Sequence, residues 1–213
     1  MAAMKIIPRH QCMIYAGSPA PHLPSLAALV RQKLNENYRC LYLNSPPMVA
    51  GMRSYLFAAG VDVTQEVNNN RLMLSSSTEH LEKRHFDVDR MITMLNEALT
   101  HALRDVYQGL WATGDMSWEF GPEKDFSKLL EYEWRLEELF QRNPCLSGIC
   151  QYHTDTLPHR AVRQGLLTHQ SILINHTLSR LNAYYIERDS ARIPSDIDLD
   201  HVIAGLSQAQ DTH

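Results

Sequence analysis

Residues 11–44 read QCMIYAGSPAPHLPSLAALVRQKLNENYRCLYLN, and this stretch decides the fold class. It opens with a short apolar strand over 11–16, broken by the proline-rich turn 17–24. From Ser25, a good N-cap, Leu26, Val30 and Leu34 recur at four-residue steps, so the spacing predicts an amphipathic helix ending near Tyr38. Residues 39–44 (RCLYLN) then form a second strand. The pattern repeats outward. A helix is expected over 49–59 with a stop at Gly60, then a strand over 71–74. A long helix from Asp87 carries Met91, Leu95, Ala98, Ala102 and Val106 on one face. Strands follow at 109–113, 146–152 and 171–175, with helices over 125–142 and 160–168. Regular alternation of this kind predicts a three-layer α/β domain with a mostly parallel sheet and flanking helices. Ligands on such sheets sit beyond the carboxyl ends of the strands, which singles out residues 17–22, 46–47, 114–119 and 152–155.

With 213 residues, 44% hydrophobic and 21% charged, the chain is long enough to bury a core without disulfides or a structural metal. Its 20 Lys and Arg do not outnumber 24 Asp and Glu, and no basic run of five appears, which argues against direct nucleic-acid or anionic-membrane binding. The first eleven residues hold no signal-peptide apolar region and no stretch reaches a membrane span. Cys12, Cys40, Cys145 and Cys150 are therefore expected reduced, in the cytoplasm. Residues 1–187 read as the folded domain. Residues 188–213 read as a polar tail in which Leu199, Val202, Ile203 and Leu206 have helical spacing, expected to pack on the domain itself or on a second copy, or alternatively to dock on a signalling partner.

The first strand-to-helix turn is where a nucleotide-binding chain of this layout keeps G-x-x-x-x-G-K-[ST]. Here residues 17–25 read GSPAPHLPS, with one glycine, no lysine and three prolines that each remove an amide donor, so P-loop hydrolysis is not expected. Met116 and Trp118, beside Asp115, would either close the core or wall a small-ligand pocket. Glu133 lies within the apolar stripe Phe126, Leu129, Leu130, Leu136 and Phe140, and so needs a buried partner such as His10, His169 or a backbone amide, or a ligand. His10, Cys12, Cys150 and His153 have zinc-ligand chemistry but no paired motif, so neither a metal nor another cofactor is expected. A nucleophilic Cys/His pair lacks a signature as well. His80, His101 and His201 read as exposed.

The elements H-x-C-x-x-Y (His10, Cys12, Tyr15), R-C-L-Y (39–42), G-V-D-V (60–63), F-D-V-D-R-M (86–91), G-D-M-S-W (114–118), E-Y-E-x-R-L (131–136), C-Q-Y (150–152), T-H (168–169) and N-A-Y-Y (182–185) occur in order. Together they resemble the MEDS family, the sensory domain named for methanogens, methylotrophs and the regulator DcmR, over about residues 10–186. The resemblance implies a non-catalytic prokaryotic signal-input domain for simple hydrocarbon derivatives, on a RecA- or KaiC-like scaffold that has lost its P-loop. Relatives are often joined to a DNA-binding module or a histidine kinase. Here no output domain is expected, so the chain would act through a protein partner such as a histidine kinase or transcription regulator, or by oligomerising. This chain departs from the family where Asn37 and Tyr38 replace Gly-Glu, Arg84 and His85 replace a glycine before Phe-Asp, Gln170 and Ala183 replace prolines, and Asp115 stands for glutamate.

The residues expected to bind or support a small effector are His10, Cys12, Tyr15, Met116, Trp118, Glu133, Cys150, Tyr152 and His169. Trp118, Met116 and Tyr152 are apolar walls; His10, Glu133 and His169 are polar anchors. Two alternatives are a residual nucleotide- or metal-dependent hydrolase using His10, Cys12 and Glu133, and a ligand-free structural adaptor working through the tail.

Overall fold

A computed structural model describes residues 9–175, 178–188 and 198–211. The strands are β1 (His10–Tyr15), β2 (Arg39–Leu43), β3 (Leu72–Ser75), β4 (Leu81–Glu82), β5 (His85–Phe86), β6 (Leu110–Asp115), β7 (Leu146–His153), β8 (Ser171–Asn175) and β9 (Leu178–Leu181). The helices are α1 (Leu23–Asn35), α2 (Pro46–Ala58), α3 (Val63–Asn68), α4 (Val88–Arg104), α5 (Met116–Glu119), α6 (Leu129–Arg142), α7 (His159–Thr168) and α8 (Leu199–Asp211). The fold is the expected α/β layering. Seven strands form one sheet in the order β3-β2-β6-β7-β1-β8-β9, parallel except for the antiparallel pair β8/β9. A separate hairpin pairs β4 with β5.

Period-two alternation assigns each strand residue to a face. On β1, Met13 and Tyr15 join the apolar layer under α1 and α2, while Cys12 and Ile14 join the layer under α4, α6, α7 and α8. On β7, Ile149 goes to the first layer, and Cys150 and Tyr152 go to the second. Both layers are continuous, so the inner strands β1, β2, β6 and β7 are buried on both sides, as a parallel sheet requires.

Several boundaries differ from the sequence reading for identifiable reasons. α1 starts at Leu23 rather than at Ser25, with Pro24 in its first turn, where the missing amide costs nothing, and it ends at Asn35. α2 likewise takes in Pro46 and Pro47. Val106 does not extend the face of α4: the helix ends at Arg104, and Val106 is 81% exposed with φ of 64°. The expected helix over 125–142 begins as a 3-10 turn capped by Asp125, so α6 proper starts at Leu129. α3, α5, the β4/β5 hairpin and β9 were not anticipated. The hairpin turn is Lys83 and Arg84, both with positive φ, the geometry of a two-residue primed turn.

The stretch read as a tail contributes α8. Its Val202 and Leu206 are buried in the same apolar layer as Cys12 and Ile172, and the helix lies against β1 and β8. Residues 189–197, 212 and 213 lie outside the described residues, as do residues 1–8, part of the stretch read for an export signal. Among the described residues, no helix is long and apolar enough to cross a membrane.

His80 overturns its reading as exposed. It is 2% exposed, rests beside Phe86 and Trp118, and donates from Nε2 to the carbonyl of Glu119 at 2.7 Å. Burial lowers its pKa against the weaker raising effect of that carbonyl. The unfolded chain therefore binds a proton at His80 more readily than the folded one, so this residue's contribution is undiminished above about 6.5 and declines as pH falls below it. Urea titrations between about pH 7 and pH 5 should show a smaller stability loss for His80→Gln than for the unsubstituted protein. Identical slopes would mean that His80 does not titrate in this window.

Candidate functional site

Eight of the nine candidate residues fall into two places. The first is an open groove of about 300 Å³ beyond the strand ends, lined by Tyr15, Pro19, Asn44, Ser45, Met48, Asp115, Ser117, Trp118 and His153. It draws on three of the four loop segments that the strand ends singled out; in place of 46–47 the neighbouring Asn44, Ser45 and Met48 line it. Asp115, the last residue of β6, organises it. One carboxylate oxygen caps α5 by accepting from the Trp118 amide at 3.0 Å and also accepts from the Ser117 hydroxyl; the other accepts from Tyr15 Oη at 3.3 Å. The Tyr15 ring stacks on His153 with centroids 5.0 Å apart. Burial and the neighbouring Asp115 push the Tyr15 phenol up, so it remains a donor.

In the turn after β1, the amides of Gly17, Ala20 and His22 are engaged. The Gly17 amide donates to Asp155 Oδ2 at 2.8 Å, and its carbonyl bonds to His153 Nε2 at 2.7 Å. The amide of Ala20 donates to Ser18 Oγ and that of His22 to the Pro19 carbonyl, while Pro19 and Pro21 have none to give. A phosphate-binding turn needs several free amides aimed at one point. This turn offers the opposite, with Asp115 and Asp155 adding negative charge nearby.

The second place lies in the apolar layer under α6 and α7. His10 and Cys12 share a face of β1, and Cys150 and Tyr152 share a face of the adjoining β7, where Cys12 pairs with Cys150. α6 lowers Glu133 onto them, and His169, just after α7, closes the group. His10 Nε2 is 3.5 Å from Glu133 Oε2 and 3.5 Å from Cys150 Sγ; His169 Nε2 is 3.4 Å from Glu133 Oε2. Tyr152 donates its hydroxyl to Glu133 Oε1. Glu133 and His169 are both 0% exposed. The need for a buried partner, read from Glu133's place on an apolar stripe, is met by His10, one of the partners expected for it, and by Tyr152.

Surrounding groups orient the cluster. His10 Nδ1 donates to Glu137 Oε2 at 2.9 Å and its ring stacks on Phe140; His169 Nδ1 donates to the Gly165 carbonyl at 2.7 Å. Glu137, one helical turn after Glu133, was missed, although its four-residue spacing was the available signal. Burial opposes charge throughout. It would lower His10, but hydrogen bonds and charge from Glu133 and Glu137 raise it. It would raise Glu133, but His169, His10 and Tyr152 hold it below the ordinary carboxylate range. Burial and the charge of His10 lower His169 to about 4, so it is a neutral imidazole. Burial, then Glu133, pushes the Cys150 thiol far up. Cys12 stands beside the group, its thiol directed to the Ser171 carbonyl at 3.9 Å. Among the described residues, His10, Glu133, Cys150 and His169 form the one group of acidic, His or Cys side chains placed to share an ion, their ligating atoms all within 4.8 Å. His153, considered for such a site from sequence, is in the groove instead.

Met116 is in neither place. It is 1% exposed and packs in the apolar layer, so it walls no open pocket; of the Met-Trp pair, only Trp118 reaches the groove. The profile of a sensory-domain family, described as MEthanogen/methylotroph, DcmR Sensory domain, matches residues 9–170, from just before His10 to just after His169. The chain belongs to the MEDS family. No curated protein matches it. The MEDS match thus spans every lining residue of the groove and all four members of the buried quartet, whereas α8 lies beyond it.

Proposed function

We propose that this MEDS chain is a non-catalytic, cytoplasmic signal-input module whose small effector, of the hydrocarbon-derivative class, enters the groove at the strand ends. The observation that carries this reading is the groove itself. Met48 and Trp118 give it an apolar side, Tyr15, Asn44 and Asp115 a polar floor, and its position is where parallel α/β sheets hold ligands. Output passes to a protein partner, such as a histidine kinase or transcription regulator, or to a second copy, through a shift between loop arrangements that the effector binds unequally.

The scaffold is read as RecA- or KaiC-like with its phosphate function lost. In support, β1 lies inside the sheet between β7 and β8, an acidic residue ends β6, and the turn after β1 has committed the amides of Gly17, Ala20 and His22. Thermal-shift screening with small alcohols, halocarbons and Mg-nucleotides tests both statements. The expected result is stabilisation by a small alcohol or halocarbon, with about tenfold weaker binding in Trp118→Ala, as for losing an aromatic wall worth about 1.4 kcal/mol. Saturable binding and turnover of Mg-ATP would instead restore the hydrolase alternative, and a flat response to every compound the adaptor.

A further inference from the structure

We propose that the buried quartet His10, Glu133, Cys150 and His169 is a closed, tetrahedral zinc site that pins α6 and the α7–β8 junction to β1 and β7. This inference goes beyond the effector reading and does not rest on it: His10 lies about 16 Å along β1 from Tyr15 and the groove, five residue steps at strand rise.

Distances come first. Ligands about 2.0–2.3 Å from a tetrahedral ion are separated from one another by about 3.3–3.8 Å. Four of the six separations here are 3.4 Å (His169 Nε2 to Glu133 Oε2), 3.5 Å (His10 Nε2 to Glu133 Oε2), 3.5 Å (His10 Nε2 to Cys150 Sγ) and 3.9 Å (Cys150 Sγ to Glu133 Oε2). The remaining two are within 4.8 Å.

Proton accounting comes second. Each imidazole spends its Nδ1 hydrogen outside the group, His10 on Glu137 and His169 on the Gly165 carbonyl. In a neutral ring the His169 Nε2 lone pair then points inward, at a Glu133 carboxylate oxygen that is itself only an acceptor. His169 Nε2, fully buried, has no hydrogen-bond partner at all. A buried acceptor facing another acceptor is costly, and a cation between them removes the cost.

The outer contacts are those that metal ligands use. A histidine ligand is held by a carboxylate or a backbone carbonyl on its other nitrogen, and both forms occur here. The carboxylate ligand is held in turn by Tyr152 on its other oxygen. Charge also balances, since Zn²⁺ meets one carboxylate, one thiolate and two neutral imidazoles. Binding forms the four coordinate bonds and releases to solvent the Cys150 thiol proton and the Nε2 proton that His10 holds toward Glu133 in the metal-free protein, with no change of oxidation state. A mixed N, O and S donor set at tetrahedral spacing selects zinc over calcium or magnesium. With all four positions filled by protein, the ion is structural, and because the ligands are buried it enters as the chain folds.

The full chain is unfolded in denaturant with a chelator, freed of both, and refolded with Zn²⁺, with Co²⁺ or without metal. Refolding with Zn²⁺ should retain one ion per chain after desalting and raise Tm over metal-free protein. Co²⁺ should give a near-ultraviolet thiolate-to-metal charge-transfer band and the intense visible bands of tetrahedral coordination. Cys150→Ser should abolish the charge-transfer band, and Cys145→Ser should keep it. Zinc X-ray absorption on the unsubstituted protein covers the case in which Cys150→Ser does not fold: one sulfur with three nitrogen or oxygen neighbours is expected. No retained ion, a weak six-coordinate cobalt spectrum, a sulfur-free zinc shell, or a charge-transfer band that follows Cys145 would each overturn the site. Effector binding in the groove is scored separately, by Trp118→Ala.

Discussion

Glu133→Ala is expected to lower the folding free energy of metal-free protein by about 3–5 kcal/mol, the range for removing one member of a buried charged group. Two side chains lose a partner at once: Tyr152 keeps a hydroxyl with no carboxylate to accept it, and His10 loses Glu133 and keeps Glu137 and Cys150. The cost exceeds that of an exposed ion pair, worth at most about 1 kcal/mol, because water does not reach the site to compensate. Urea unfolding of wild type and Glu133→Ala, both refolded in chelator, measures it. Glu133→Gln, which still accepts from Tyr152, should fall between the two. A loss below about 1 kcal/mol would show that the network contributes little to stability.

Gly165→Ala should destabilise by about 2–4 kcal/mol, although alanine favours a helix interior by about 1 kcal/mol. A Cβ at Gly165 would sit 2.3–2.7 Å from three atoms of the Tyr152 ring. That ring is buried and tied through its hydroxyl to Glu133, so it cannot swing away without breaking the tie. Shortening the ring in Gly165→Ala/Tyr152→Ala should remove the clash, making the double variant more stable than the sum of the single losses allows. Strict additivity of the two losses would show that the methyl group finds room elsewhere.

Both effects concern residues whose importance the sequence conveyed unequally. Glu133 was conspicuous, because a carboxylate inside an apolar stripe has few ways to survive burial. His10 with Cys12, and Cys150 with Tyr152, were legible as same-face pairs once β1 and β7 were recognised. That these pairs would lie side by side depended on strand order, which no local pattern encodes. Gly165 gave no sign, since a glycine in a helix looks like a weakness until the ring it accommodates is in place.

The misreadings have physical sources too. His80 lies in a polar loop, and only the β4/β5 hairpin and α5 around it bury the ring. Met116 follows a strand as Trp118 does, but the turn of α5 sends the first into the core and the second to the surface. Asn37 and Arg84, both among the departures from the family pattern, have positive φ, at the cost of some strain that asparagine tolerates better than arginine.

The placement of α8 bears on how this protein is to be handled. Trimming it at residue 187, where the recognisable motifs run out, would strip Val202 and Leu206 from the flank of β1 and β8 and leave greasy sheet surface uncovered. A shortened version would then self-associate for reasons unrelated to signalling, and its clumping would be easy to mistake for a physiological response.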